Sequence, residues 1–422
     1  MSRARGQGFT NPTRIDEAKR IFFANLPPYP LESEEIAVRD ALTRHLGNDV
    51  VSPVDLPAFD KSTVDGYAVI SEDASQASAS NPAVLQLTGE SRIGERPTVK
   101  VTRGTAVAIA TGAPVPEGAN AVVMIEDTKR FADERIEVHS PLERGENISK
   151  TGDDTKKGSL LLRRGTRLMP QDIGLLTALG YRTVKVVRAP FAGILSTGNE
   201  LLEPDQAPED GKVVDVNRAV IPGMLKEAGA ITVDLGIARD DEAEIESKIR
   251  DGLRRCDLLA VTAGTSVGRR DLVPEIVNSL GKPGVLVHGV AMRPALPTGL
   301  AVVNKKPVLL LPGFPVSAII AFTIFGAPLI ARMLGGAEEP QTVIKAKLTK
   351  NVAGVPGLRT FVRVVVNQEN GQLRAQPLSK QAASSLTTLT SANGILTIPE
   401  DSAGFDAAQE VEIVLIRPIR ET

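Results

Sequence analysis

Residues 307–331 read PVLLLPGFPVSAIIAFTIFGAPLIA, with no charged side chain from Pro307 to Ala331. A run of that length suggests a bilayer-crossing helix. Its internal grammar points elsewhere. Val308 to Leu311 is a short apolar run, Pro312, Gly313 and Pro315 break it, and a helical stretch from Val316 to about Leu334 follows. The pattern is strand, tight loop, buried helix. A helix apolar on nearly all sides must bury all of them, so part of its cover is expected to come from a second subunit.

The same alternation runs through the preceding sequence from Phe191. Strands are predicted at Phe191–Leu195, Ile231–Ile237, Leu258–Val261 and Val308–Leu311, and helices at Arg218–Ala228, Asp241–Arg255, Asp271–Leu280 and Val316–Leu334. Such alternation builds an open, mainly parallel sheet covered on both faces. Beyond a linker at Gly335, Gly336, Glu338, Glu339 and Pro340, the runs Val343–Leu348, Phe361–Val366 and Val411–Ile416 predict an all-β module. Toward the N-terminus, short runs at Val84–Leu87, Thr98–Val101, Ala121–Ile125 and Ile136–Val138 predict another. Thr13–Leu46 reads as helical, opened by a capping box of Thr13 and Asp16. Val38, Ala41, Leu42, His45 and Leu46 fall on one helical stripe, with His45 a packing residue. A polar loop spans Arg144–Lys157, and a helix is predicted at Gln171–Leu179.

Composition excludes several functions. Lys+Arg 49 against Asp+Glu 51 gives a net charge of −2, and aromatics are 3% with no Trp. A nucleic-acid binder would need a basic face or stacking platforms. The single cysteine, Cys256, and three scattered histidines leave only oxygen ligands for any metal. The opening MSRARGQGFTNP lacks the apolar core of a signal peptide and reads as a frayed tail, so a cytoplasmic protein is expected.

Ligands of a parallel α/β sheet bind at the carboxyl ends of its strands. The loops there are STGNEL (Ser196–Leu201, with Glu200), TAGTSVGRRD (Thr262–Asp271), LPGFPVSA (Leu311–Ala318) and MRPALPTG (Met292–Gly299, with Arg293). Gly264, Ser266 and Gly268 would let backbone N–H groups approach a phosphate at a helix start. Outside this unit, FDKSTVDGYAV (Phe59–Val69), TGAPVPEGANAVVMIED (Thr111–Asp127) and TGDD (Thr151–Asp154) carry acids in loops between modules. Together they imply an anion site ringed by carboxylates, hence a divalent oxygen-bound cation such as Mg²⁺.

At these loops the sequence resembles the MoeA-type molybdopterin molybdenumtransferases, a family that includes the C-terminal domain of gephyrin. LPAFDKSTVDGYAV, TGAPVPEGANAVVM, STGNEL, the DVN of Asp215–Asn217, IARDD (Ile237–Asp241), SVGRRD, RPALPTG and LPGFPVSA occur in the family's order over nearly the whole chain. The resemblance implies a multidomain α/β and β protein. An elongated N-terminal domain (1–65 and 144–188) surrounds an inserted small β-barrel (66–143), followed by a mixed or parallel α/β molybdopterin-binding domain (189–335) and a C-terminal β-barrel (336–422). It implies a molybdopterin molybdotransferase that inserts molybdate into adenylylated molybdopterin and releases AMP with Mg²⁺. Alternatives are a tungstate-using homologue or a non-catalytic scaffold.

By resemblance the catalytic acids are Asp65, Asp154, Glu200, Asp240 and Asp271, with Glu200 and Asp271 on the metal. Substrate contacts fall to Thr111, Gly264, Ser266, Gly268, Arg269, Arg270, Arg293, Pro294, Pro297, Gly313, Pro315 and Ser317. The resemblance also implies a homodimer with each site built between subunits, and a molybdopterin adenylyltransferase as a possible partner. Neither nucleic acid nor membrane is an expected partner. The chain departs from the family where a usual Gly-Gly reads Ala263, Gly264, where Pro-Gly-Lys-Pro reads Pro294, Ala295, Leu296, Pro297, and where Phe314 replaces Asn.

Overall fold

The computed structural model describes residues 11–419 except 30, 208, 263–271 and 338–339. The predicted frayed tail lies mostly outside those residues, as do Glu338 and Glu339 of the linker.

The α/β unit is a six-stranded sheet in the order Ile231–Ala238, Phe191–Thr197, Leu258–Thr262, Lys306–Leu311, Gly299–Val303, Pro283–His288. The first four strands run parallel, and the last two form an antiparallel extension. The sheet is therefore mixed. Ile245, Ile249, Val273, Ile276 and Val277 cover one face. The other face receives Ile221 and Leu225, the apolar helix and, from far away in sequence, Ile15, Ala18 and Phe22. The Pro315–Met333 stretch is long and apolar enough to cross a membrane by composition, but 67% of it is buried inside the protein. Ala318, Ala321, Phe322, Phe325, Leu329 and Ile330 all join the core, so this is a core helix. A π turn at Phe322–Gly326 interrupts it. Gly326 makes room there, since a Cβ would lie 2.5 Å from the Phe322 ring.

The C-terminal module is a closed five-stranded barrel. Val343–Leu348, Gln372–Pro377, Arg359–Glu369, Gly394–Ile398 and Glu410–Leu415 each pair with two neighbours around the ring. The inserted module is a curled six-stranded sheet, ordered Ala121–Met124, Gly66–Val69, Thr105–Ile109, Ala83–Ser91, Arg135–Val138, Thr128–Arg130. Gly66 is required at its centre: a Cβ would stand 1.8 Å from Val123 O.

Three local expectations are corrected. The first helix is only Ile15–Ala24, its N-cap is Arg14 with no side-chain cap, and Thr13 instead bridges Val290. After Pro27 and Pro28 the chain cannot continue as helix. Ser33–Ala37 pairs as a strand with Thr183–Val187, and Val38–Asp40 is a single 3₁₀ turn. Val38, Ala41 and Leu46 are buried, as the stripe required, but along an irregular path, while Leu42 is exposed. His45 is a buried packing residue. Thr98–Val101 is not a strand; Val101 is buried and its N–H goes to Glu117 O at 2.9 Å.

Candidate active site

The Phe191–Thr197 and Ile231–Ala238 strands end side by side, with Thr197 opposite Ala238. Their following loops therefore meet. Asn199 clasps them: its N–H donates to Asp240 Oδ2 at 3.4 Å, and its Oδ1 accepts from Asp240 N at 3.2 Å. Lys212 Nζ donates to Asn199 O at 2.7 Å, which fixes the same turn. Glu200 and Asp240 thus share one edge of the sheet. Gly198 beside them holds φ at +151°, a conformation in which an L side chain is strained. Among the described residues Glu200's carboxylate has no hydrogen-bond or ion-pair partner. No group of three His, Cys, Asp or Glu poised to hold a metal occurs among the described residues.

Beneath this edge lies a buried polar layer that the sequence reading did not place in the site. Ser196 Oγ and Thr262 Oγ1 are 2.8 Å apart. Asp215 Oδ1 accepts the N–H groups of Asn217 (3.1 Å) and Arg218 (3.3 Å), tying off the start of the Asn217–Glu227 helix. Asn217 Nδ2 donates to Gly313 O at 2.8 Å. Thr197 Oγ1, Asp215 Oδ2 and Asn217 Oδ1 are buried with no partner among the described residues. Each orphan of this kind costs about 1–3 kcal/mol, so three in one layer fit a polar ligand better than a closed core. Burial pushes the Asp215 carboxyl above the usual carboxylate range, against the hydrogen bond from Ser196.

Two further loops complete the edge. Gly313 and Phe314 are exposed at the mouth, Phe314 by 60%. Pro315 opens the helix where its missing N–H costs nothing, and Ser317 is buried behind it. Gly299 opposite Leu310 brings the Met292–Gly299 loop to the same end of the sheet. There Arg293 is exposed, Pro294 buried and Pro297 half-buried. Ala295, in place of the family glycine, holds φ at +91°, a conformation that costs an L residue roughly 1–2 kcal/mol.

Asp65 and Thr111 flank the same end of two paired strands of the curled sheet, where Gly66 lies opposite Ile109. Thr111 N and Oγ1 donate to Asp65 Oδ1 at 2.7 and 2.9 Å. The backbone bond first, then the hydroxyl, hold the Asp65 carboxyl below the usual range. Asp154 is exposed on a loop whose N–H donates to Leu56 O at 3.0 Å. Beside it, Asp60 accepts from Lys150 Nζ (2.8 Å) and from Thr151 N and Oγ1 (2.8 and 2.9 Å). Among the described residues no hydrogen bond or ion pair joins this group to Glu200 and Asp240. Gly264, Ser266, Gly268, Arg269, Arg270 and Asp271 lie outside the described residues.

Arg363 was not legible as a site residue. Its side chain is fully buried in the barrel wall. Nε donates to Thr388 Oγ1 at 3.1 Å and Nη2 to Ala382 O at 3.2 Å, while Nη1 has no partner. No carboxylate pairs with it among the described residues, and burial pulls its pKa down. The covering segment touches the α/β edge, where Val316 N donates to Ala383 O at 3.2 Å. An arginine buried without a counter-ion among the described residues, beside a candidate anion-binding edge, is itself a candidate anion ligand.

Comparison with known proteins matches this architecture piece by piece. The family described as MoeA N-terminal region (domain I and II) matches residues 13–180. The probable molybdopterin binding domain matches 193–332, and the MoeA C-terminal region (domain IV) matches 345–416. A molybdopterin molybdenumtransferase of Bacillus subtilis is 36% identical, over 92% of this chain and 90% of its own. A putative molybdopterin biosynthesis protein of Methanocaldococcus jannaschii is 34% identical, over 96% and 98%. A solved molybdopterin biosynthesis MoeA protein from Pyrococcus horikoshii superposes with a TM-score of 0.82 at 33% identity, covering 96% of this chain and 100% of that one. The chain therefore belongs to the MoeA family, as a transferase of molybdenum cofactor biosynthesis.

Proposed function

We propose that this protein inserts molybdate into adenylylated molybdopterin with release of AMP, in a Mg²⁺-dependent reaction. The observation that carries the reading is the carboxyl edge of the α/β sheet. Glu200 lies there without a partner among the described residues, Asp240 is clasped beside it, and orphaned polar atoms lie beneath. Hard, unpaired carboxylate oxygens fit Mg²⁺, which Glu200 and Asp271 would hold. When bound, the ion would offset charge on the pyrophosphate as its bridge to AMP breaks.

The protein's own groups do the rest. The amides of Gly264 to Gly268 and those of Gly313 and Phe314 receive the phosphate end of the substrate, the Val316 N–H being already given to Ala383 O. Pro294, Pro297, Pro315 and Ser317 shape the surrounding wall. Arg269, Arg270 and Arg293 hold phosphate or molybdate through charge-assisted hydrogen bonds. Asp240, Asp65 with Thr111, and Asp154 orient water or the incoming oxyanion. A homodimer with each site closed by the partner subunit is part of this reading, and it fits the lack of any hydrogen bond or ion pair, among the described residues, between the Asp65 and Asp154 group and Glu200. A cytoplasmic location and a supplying adenylyltransferase belong to the same reading.

The departures at Ala295, Leu296 and Phe314 favour testing tungstate alongside molybdate. Purified protein would receive adenylylated molybdopterin, Mg²⁺ and either oxyanion, with AMP release and retained metal as readouts. Oxyanion-stimulated AMP release that falls with Glu200→Gln is expected. Stimulation by neither oxyanion would sink the proposal.

A further inference from the structure

Arg293 sits on a loop gripped from three directions. The loop closes on itself: Gly289 N donates to Thr298 O (3.0 Å), Val290 N to Leu296 O (2.9 Å) and Thr298 N to Ala295 O (3.1 Å). The start of the chain threads it from one side, with Thr13 N donating to Gly289 O (2.9 Å) and Ala291 N to Thr13 O (2.7 Å). The barrel holds the other side. Met292–Arg293 lie parallel to Arg359–Thr360, and Arg359 N donates to Ala291 O at 3.0 Å.

Arg359 joins the last two of these grips. Its Nη2 lies 2.9 Å from Asp16 Oδ2, on the first helix, and 3.0 Å from Glu400 Oε1, in the barrel. Its Nε donates to Glu400 Oε2 at 3.1 Å. The Glu400 side chain is 3% exposed and Asp16 72% exposed. A buried carboxylate depends on its cation, so this junction is held firmly on the Glu400 side. Asp16 adds the first helix to the same guanidinium. Arg293 contrasts with Arg359: it is exposed and has no partner among the described residues.

We propose that Arg359 is a positioning residue that locks the Met292–Gly299 loop between the first helix and the barrel, so that the exposed guanidinium of Arg293 is presented to an anionic substrate group. Fixing the donor before the ligand arrives removes an ordering cost from binding. The inference rests on the reading of Arg293 as an anion ligand.

The test uses the full chain, with molybdate and inorganic pyrophosphate as separate calorimetric probes. Variants are Arg293→Ala, Arg359→Lys, Asp16→Asn, and each of the last two combined with Arg293→Ala. Arg293→Ala is expected to weaken one anion about 10-fold, the order expected for loss of a charge-assisted bond. Arg359→Lys and Asp16→Asn are expected to weaken the same anion by about 3-fold or more, as lost preorganisation. In the Arg293→Ala background both are expected to add nothing, since a residue acting through Arg293 has nothing left to act on. If Arg293→Ala changes neither affinity, the reading of Arg293 has failed and the proposal with it. If Arg293→Ala weakens binding but the second substitution multiplies the loss, Arg359 acts elsewhere and only the proposal falls. Should Arg359→Lys not fold, the exposed Asp16→Asn decides alone, and an unchanged affinity there overturns the proposal.

Discussion

Replacing Arg363 by Met separates an arginine kept for chemistry from one kept for structure. Nothing anionic balances this buried guanidinium among the described residues, and removing a charge from such a place recovers several kcal/mol of desolvation. The losses are two long hydrogen bonds, to Thr388 Oγ1 and Ala382 O. A bond of that kind from a charged donor contributes about 1.5–3 kcal/mol. The acceptors are not stranded: Thr388 keeps its 2.6 Å bond to Ser385 O, and Ala382 is exposed to water. Met fills most of the vacated space, and the bonds of the Arg363 main chain to Gln381 remain. Gain and loss nearly cancel. Folding stability is therefore expected to stay within about 2 kcal/mol of the parent, on the stabilised side, while oxyanion-dependent AMP release falls about 100-fold or more. Urea unfolding and an AMP assay on the same preparation measure both. A loss of more than about 3 kcal/mol, or retained AMP release, would refute the reasoning.

Phe22→Ala should cost about 3–5 kcal/mol in denaturant unfolding, because Phe22 is fully buried against the α/β sheet; a loss under about 1 kcal/mol would mean the first helix is not part of that core. Gly66→Ala should abolish folding of the curled sheet, given the 1.8 Å approach to Val123 O, and a near-native circular dichroism spectrum would contradict it. Asp215→Asn bears on pH. An acid whose folded pKa is raised binds its proton more tightly in the folded state, so it favours folding below its unfolded value near 3.8 and this contribution is lost as pH rises through the raised folded value. The substitution should therefore raise the unfolding temperature at neutral pH and lose that advantage in acid. An equal shift at all pH values would exclude the titration of Asp215 as its cause.

The repeating strand and helix pattern from Phe191 to Leu334 carried the central sheet, because buried parallel strands are short continuous apolar runs set off by glycine and proline. The hairpin beside it escaped notice. Val303 and Lys306 are joined through Asn304 and Lys305, both at positive φ, and without a glycine that turn has a weak signature. Arg363 was hidden by periodicity. Along Arg359–Glu369 it alternates with Val362, Val364 and Val366, so it reads as solvent-facing; only the return of the Gln381–Thr388 segment covers it. Glu200 was legible as a loop acid at a strand end and Asp240 only through the family resemblance, whereas their clasp through Asn199 was not, since nothing local encodes a contact between two loops.

Packing the first helix into the α/β core has a consequence for synthesis on the ribosome. Phe22 emerges early, but its cluster is completed by residues such as Leu300 and Phe325. At roughly 5–20 residues per second, the interval between them is on the order of 15–60 s. For that time an apolar helix face waits without its sheet, a window in which a chaperone has something to hold and a slowly translated chain has something to lose.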